Sequence, residues 1–158
     1  MTDDSAEQGE LWLSHEQLRE WKSLMALLMT MPARLDAQLK QDAGLNLFEY
    51  HILVELADAP ERLQVMSDLA ILARGSLSRL SHVVSRLEKR GWVRRAACPG
   101  DGRFVNAVLT DEGMAKVVAT APGHVEAVRR FVVDALSPQH LAELGCASGA
   151  ILTVIPKD

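Results

Sequence analysis

Little of this 158-residue chain is aromatic: three Trp, three Phe and one Tyr, 4% of the whole. Leu, Ala and Val carry the apolar content instead, which favours helices over strands. No apolar run reaches the about eighteen residues a membrane span needs, so none is expected. Only two cysteines are present, Cys98 and Cys146, far apart and without a CxxC partner. That usage suits a reducing, cytoplasmic setting and offers no disulfide framework. Cys98, close to arginines that favour a thiolate, is a candidate redox thiol, with a half-buried small side chain as the plainer reading. The five histidines (His15, His51, His82, His124 and His140) lack ligand spacing such as HxxxH, so no metal and no cofactor are expected. Nucleophile elbow, P-loop, zinc signature and paired dinucleotide glycines are also missing, which argues against an enzyme. The N-terminus, MTDDSAEQGE, is acidic where a secretory signal is basic and apolar, and residues 1–13 read as a disordered tail.

Acid is scarce in one region above all. Residues 62–103 hold nine Lys/Arg and three acids (Asp68, Glu88, Asp101), a net charge of +6. The remainder holds eight bases and eighteen acids, so the overall −4 conceals a segregated charge. A basic segment in an acidic chain is the electrostatic footprint expected of a nucleic-acid partner.

The hydrophobic spacing divides the chain into short helices. Ser14 with Gln17 forms a capping box that opens a helix carrying Leu18, Trp21, Leu24, Met25, Leu28, Met31, Leu35 and Leu39. Pro32 is expected to kink or split it, and Gly44 to end it. Asn46 with Glu49 makes a second capping box, opening a helix that sends Phe48, Ile52, Leu53 and Leu56 inward and ends at Pro60. Ser67 is placed as the cap of a short third helix, SDLAILA, and Arg74-Gly75 as a tight turn. A further helix follows, so the order is helix, turn, helix.

That further helix lies within SLSRLSHVVSRLEKRGWVRR, residues 76–95. At 100° per residue, Leu77, Leu80, Val84 and Leu87 share one arc and are expected to be buried. Across from them lie Ser78, His82, Ser85 and Lys89, flanked by Arg79, Ser81 and Arg86. Glu88 is the single acid of this helix. An ordinary solvated face is usually mixed in sign, whereas this one presents hydroxyls, an imidazole and guanidinium forks, groups that bond base edges and phosphates. WVRRAAC, PGDG and RFVNAVLT then read as strand, turn and strand. Arg94, Arg95 and Arg103 place three cations on that hairpin, with Asp101 as support, and an arginine at its tip suits a minor groove. Helix-turn-helix plus basic hairpin is a winged helix. Thr110 caps the next helix, DEGMAKVVATA, which Pro122 and Gly123 are expected to interrupt before HVEAVRRFVVDAL resumes. Ser137-Pro138 starts the last helix, an apolar one that needs covering.

The segments LNLFEYHILVELADAPERLQVMSDLA, SLSRLSHVVSRLEKRGWVRR and DGRFVNAVLTDEG together resemble the MarR family of transcriptional regulators. The wing signature matches at Asp101, Arg103, Leu109, Thr110 and Gly113, and departs from many members at Gly102. The resemblance covers about residues 24–136. It implies a fold that is mainly α with a small β-hairpin wing, divided into an N-terminal dimerisation helix (14–44), a winged helix-turn-helix domain (45–110) and C-terminal dimerisation helices (111–158). It implies a homodimer acting as a sequence-specific repressor on a pseudo-palindromic operator in double-stranded DNA. Ser76, Ser78, Arg79, His82, Ser85 and Arg86 are the candidate major-groove residues, Arg103 the minor-groove residue, and Arg94 and Arg95 the phosphate contacts. A small-molecule effector, aromatic or phenolic, is expected between the winged domain and the dimer helices. Trp12, Trp21, Met25, Met29 and His51 are the candidate ligand-binding residues, with plain core or dimer packing as the competing reading. The alternative function is a winged-helix module for protein interaction without specific DNA binding.

Overall fold

The structure, a computed structural model, describes residues 12–98 and 104–156. Most of the expected tail, and the wing residues Asp101 and Arg103, lie outside the described residues. Among the described residues no helix is long and apolar enough to cross a membrane.

Helix α1 spans His15–Ala43. Its start is the expected capping box: Gln17 N donates to Ser14 Oγ at 3.1 Å, and Ser14 N donates to Gln17 Oε1 at 2.9 Å. Gly44 ends it in the left-handed region at φ +65°. The expected break at Pro32 is absent, because α1 runs through it as one helix. Proline deprives the carbonyl four residues back of its donor, and that residue, Leu28, is exposed, where water can take the bond.

The chain forms two compact units whose boundary falls within α1, one up to Arg34 and the other from Leu35 on. In the first unit α1 exposes Leu18, Trp21, Leu27, Leu28 and Met29, an apolar load with no cover of its own.

The second unit opens on the last turns of α1 and on α2 (Leu47–Asp58). The Asn46–Glu49 capping box forms as expected, Glu49 N donating to Asn46 Oδ1 at 2.8 Å and Asn46 N to Glu49 Oε2 at 2.9 Å. Asp36 ties the two helices: it accepts from Leu47 N at 2.9 Å and pairs with Lys40 at 2.7 Å. Lys40 first, then the Leu47 amide, holds the Asp36 carboxyl below its ordinary value. A 3₁₀ turn, Pro60–Arg62, leads to strand β1 (Leu63–Val65), which the sequence reading did not anticipate. Three residues are too few for a period-2 pattern to show.

Helix α3 (Met66–Leu72), a turn at Arg74-Gly75, and α4 (Leu77–Lys89) form the helix-turn-helix. Ser67 does not cap α3. The helix begins one residue earlier, Val65 holds the cap position without a side-chain bond, and the Ser67 hydroxyl donates to Asp68 Oδ1. Strands β2 (Val93–Ala97) and β3 (Val105–Leu109) pair antiparallel, and β1 adds to β3, giving the order β1-β3-β2. The core joins Leu39, Leu45, Ile52, Leu53, Leu56, Leu69, Leu80, Val84 and Leu87, all fully buried, with Val93, Ala107 and Leu109 from the sheet.

Helix α5 spans Asp111–Val128, capped by Thr110 as expected. It is not interrupted at Pro122 and Gly123. The carbonyl that Pro122 frees belongs to the exposed Val118, so the same escape to water applies. A π-helical turn, Arg129–Val133, follows, and α6 (Pro138–Val154) is capped by Ser137 with proline at the first helical position. Despite its apolar sequence α6 buries no residue.

His124 of α5 stacks edge-on against the buried Tyr50, with ring centroids 4.9 Å apart, and reaches Gln38 Oε1 at 3.4 Å. Burial pushes its imidazole below the ordinary histidine value. A depressed folded pKa means the unfolded chain takes the proton more readily. The stabilisation is complete above about pH 6.5, the unfolded value, and is lost as pH falls through the folded value. Urea midpoints at pH 7.5 and 5.5 should therefore show lower stability at the acid pH, and a His124→Gln chain should lose part of that difference.

Candidate nucleic-acid interface

Helix α4 starts where the sequence reading placed it. The Ser76 hydroxyl accepts from Arg79 N at 3.2 Å, so Ser76 is exposed but serves as the helix cap. Leu80, Val83, Val84 and Leu87 face the core, and this stripe fixes the rotation of the helix. Leu77, expected among them, is 53% exposed, while Val83 occupies the buried arc in its place.

The opposite face carries Ser78, Arg79, His82, Arg86 and Lys89, all exposed. Arg79 lies over the Phe48 ring, its guanidinium carbon 4.0 Å from the centroid. A β-carbon at Gly75 would meet the same ring at 2.6 Å, so glycine lets the turn close onto Phe48. Phe48 thus sits beneath both the turn and the first outward arginine. Arg86 donates Nε to Glu49 Oε1 at 3.0 Å, and Glu49 is 5% exposed. One carboxylate therefore closes the α2 cap through Oε2 and anchors Arg86 through Oε1. Half of the Arg86 side chain remains exposed, and its Nη groups make no hydrogen bond among the described residues.

The wing divides its arginines. Successive side chains on a strand point to opposite faces. Arg94 is exposed, while Arg95 turns inward and lays its guanidinium along α4. Its Nη2 donates to Ser81 O at 2.9 Å and to Ser81 Oγ and Ser85 Oγ at 3.2 Å each, and its Nη1 pairs with Glu88. Arg95 N donates to Glu88 Oε1 at 2.8 Å. Ser85, whose hydroxyl also donates to Ser81 O at 3.0 Å, is half-buried against this arginine. Ser85 and Arg95, expected at base edges and phosphate, are thus engaged with each other. The sequence reading did not single out Ser81 and Glu88 as site residues. With Ser85 they recur at spacings of four and three, a stripe of acceptors that a helical wheel displays.

Other bases of the basic segment are also bonded within the domain, at its surface. Arg62 pairs with Asp111 at 2.9 Å, and Arg90 donates to Gly44 O at 2.9 Å while lying over the Trp92 ring. Of the basic segment's cations, those that remain outward among the described residues are Arg74, Arg79, Lys89 and Arg94, with the partly anchored Arg86.

The wing is fixed to α5 by one short motif. Thr110 Oγ1 donates to Gly91 O at 2.7 Å and accepts from Gly113 N at 2.9 Å. Of the candidate effector residues, Trp12, Trp21 and Met29 are exposed, Met25 is half-buried, and all four lie in the first unit. His51 lies in the second unit on α2, half-buried, with Nε2 3.5 Å from Glu55.

Known proteins share this fold. A profile described as MarR family matches residues 45–105. The HTH-type transcriptional regulator PecS of Dickeya dadantii (strain 3937) is 46% identical over 61 residues, 39% of this chain and 34% of that relative. The chain therefore aligns with about a third of that curated relative's length. Among solved structures, Sco3205, a MarR family transcriptional regulator from Streptomyces coelicolor in complex with DNA, is 45% identical, with a TM-score of 0.87 over 89% of this chain and 88% of the other. AbsC, a MarR family transcriptional regulator from the same organism, is 37% identical, with a TM-score of 0.85 over 90% and 95%. With identities of this size over nearly the whole length, on a three-stranded winged helix-turn-helix, this chain belongs to the MarR family of transcriptional regulators.

Proposed function

We propose that this protein is a homodimeric repressor that binds a pseudo-palindromic operator in double-stranded DNA through α4 and the wing. The observation that carries the reading is the outward face of α4: Ser78, Arg79 and His82 are exposed with no acid among them, while the one acid of the helix, Glu88, is spent on Arg95. Arg79 and His82 are assigned to base edges, with Ser78 short enough to admit the helix deep into the major groove. Arg86 and Lys89 lie further along the same face. Arg94 takes a phosphate, and Arg103, named from the sequence, takes the minor groove. Arg95 and Ser85 position rather than contact.

The dimer is supported by apolar surface. In the first unit α1 leaves Trp21, Leu28 and Met29 exposed, and in the second α6 leaves Ile151, Leu152 and Val154 exposed. Surfaces of this kind mark association. Sco3205, the DNA-bound relative, supports the DNA partner. A small aromatic acid as effector completes the proposal. A coupling of about 1–3 kcal/mol suffices to change operator affinity 5- to 150-fold.

The test is fluorescence anisotropy on an operator duplex at several salt concentrations. Each lost phosphate contact lowers the salt slope by about one unit. Arg94→Ala and Arg103→Ala should each weaken binding and lower the slope by that amount. Unchanged slope and affinity in both variants would remove the wing from the interface.

A further inference from the structure

Two neighbouring residues in the first turn of α2 hold two of the outward arginines of α4. Phe48 lies under Arg79, and Glu49 accepts from Arg86 Nε at 3.0 Å. The two supports constrain their arginines differently. A ring under a guanidinium fixes its plane but lets it turn within that plane. A carboxylate on Nε fixes the direction in which the remaining edge points.

Glu49 is itself held. It is buried, its Oε2 accepts from Asn46 N at 2.9 Å, and its own N donates to Asn46 Oδ1 at 2.8 Å. The α2 cap thus sets the carboxylate, and the carboxylate sets Arg86. Half of the Arg86 side chain stays exposed, and its Nη1 and Nη2 make no hydrogen bond among the described residues.

We propose that Glu49 determines base specificity, as a positioning residue that aims the Nη edge of Arg86 at a guanine in each half-site. The proposal deepens the DNA-binding reading and rests on it. In the major groove guanine presents O6 and N7, two adjacent acceptors that match the two Nη donors. A phosphate accepts a cation from many directions and rewards its charge. Here the charge is offset by Glu49 while the direction is fixed, an arrangement suited to a neutral edge with two acceptors. Arg86 follows Arg79 by two helical turns, about 10 Å, so the two forks meet different base pairs.

The experiment selects bound duplexes from a randomised pool with the full-length protein and with its Glu49→Gln, Glu49→Asp and Arg86→Ala variants. Glutamine serves in a capping box as glutamate does, so Glu49→Gln keeps the α2 start and loses the ion pair. Glu49→Asp keeps the charge but withdraws it from Nε by one methylene. The unaltered protein should enrich half-sites with an invariant guanine that all three variants relax, other positions being kept. In fluorescence anisotropy, 7-deazaguanine at that position, which lacks the N7 acceptor, should weaken the unaltered protein about tenfold. The same replacement should cost each variant less than about twofold, because the interaction it removes is already lost. Arg86→Ala should leave the salt slope unchanged, while Glu49→Gln should steepen it by up to about one unit as the released cation finds a phosphate.

A guanine penalty that persists in both Glu49 variants, with only Tm lowered, overturns the proposal and reduces the pair to a tie between α2 and α4. So does a consensus without an invariant guanine. An Arg86→Ala salt slope lowered by about one unit also overturns it, since Arg86 would then belong to a phosphate. If the unaltered protein enriches no duplex at all, the regulator reading falls and takes this proposal with it.

Discussion

Arg95→Ala is expected to weaken operator binding about tenfold, the equivalent of about 1.4 kcal/mol, while leaving the salt dependence of binding unchanged. Arg95 is the most heavily bonded side chain at the candidate interface, reaching Ser81, Ser85 and Glu88 on α4 from strand β2. Removing it takes away the side-chain bonds from β2 to α4, leaving among the described residues only the Arg95 N–Glu88 bond between them, and leaves Glu88 without its cation. The pair is partly buried, each side chain 29% exposed, so folding should lose about 2 kcal/mol. The affinity loss arises because the wing and α4 must then be ordered together when DNA binds, a cost the clamp removes beforehand. Since Arg95 touches no phosphate in this reading, the slope of log affinity against log salt stays where it was. Arg94→Ala, one residue away on the outward face, should lower that slope by about one unit. Arg95→Lys should recover the charge on Glu88 but not the fork that spans two serines, and so should fall between. A slope lowered equally by both alanine variants would return Arg95 to the phosphate backbone.

Gly113→Ala should be the most damaging alanine substitution among the described glycines. A β-carbon there would lie 2.1 Å from the Trp92 carbonyl oxygen and 2.7 Å from Leu109 Cδ1. Backbone is on the receiving side, so the start of α5 must move off the wing. The cost is expected to reach about 3 kcal/mol, or roughly 6–12 °C in Tm for a chain of this length. The opposite sign is expected at Gly123, in the middle of the same helix. There a β-carbon meets only Asp42 and Gln38 at 3.5 Å, an ordinary contact. Gly123→Ala should stabilise by about 0.5–1 kcal/mol, the usual gain for alanine over glycine in a helix. Thermal melts of the two variants beside the unaltered protein give the comparison directly. Equal effects would mean that the closeness at Gly113 is relieved without cost.

These two sites mark how far the amino-acid sequence can be read. Most local rules were legible: the Ser14–Gln17 and Asn46–Glu49 boxes, the Thr110 and Ser137 caps, and the turn at Arg74-Gly75 formed as the residue types dictate, while the expected Ser67 cap did not. The buried arc of α4 was legible to within one residue, Val83 standing where Leu77 was expected. Leu77, in the first turn of α4, is exposed, which no periodicity reveals. Prolines misled. The breaks expected at Pro32 and Pro122 did not occur, because the freed carbonyls sit on exposed residues.

Charge pattern gave the nature of the interface but not the division of labour within it. The run Arg94-Arg95 reads as two equal cations, yet strand pleating turns one outward and the other onto Glu88. Arg86 likewise reads as a free fork until Glu49, 37 residues earlier, is brought against it. Both pairs join residues of different elements, which spacing along one helix cannot show.

The central claim is that two copies of α4 enter consecutive major grooves on one side of a duplex. Hydroxyl-radical footprinting of a duplex enriched from genomic DNA by this protein tests it most directly. The expected pattern is two symmetric protected patches whose centres lie about 10–10.5 base pairs apart, fading together as salt rises. A single patch, or no enrichment beside salt-insensitive capture of a protein, would contradict the paired-helix reading and favour a winged helix that binds protein instead.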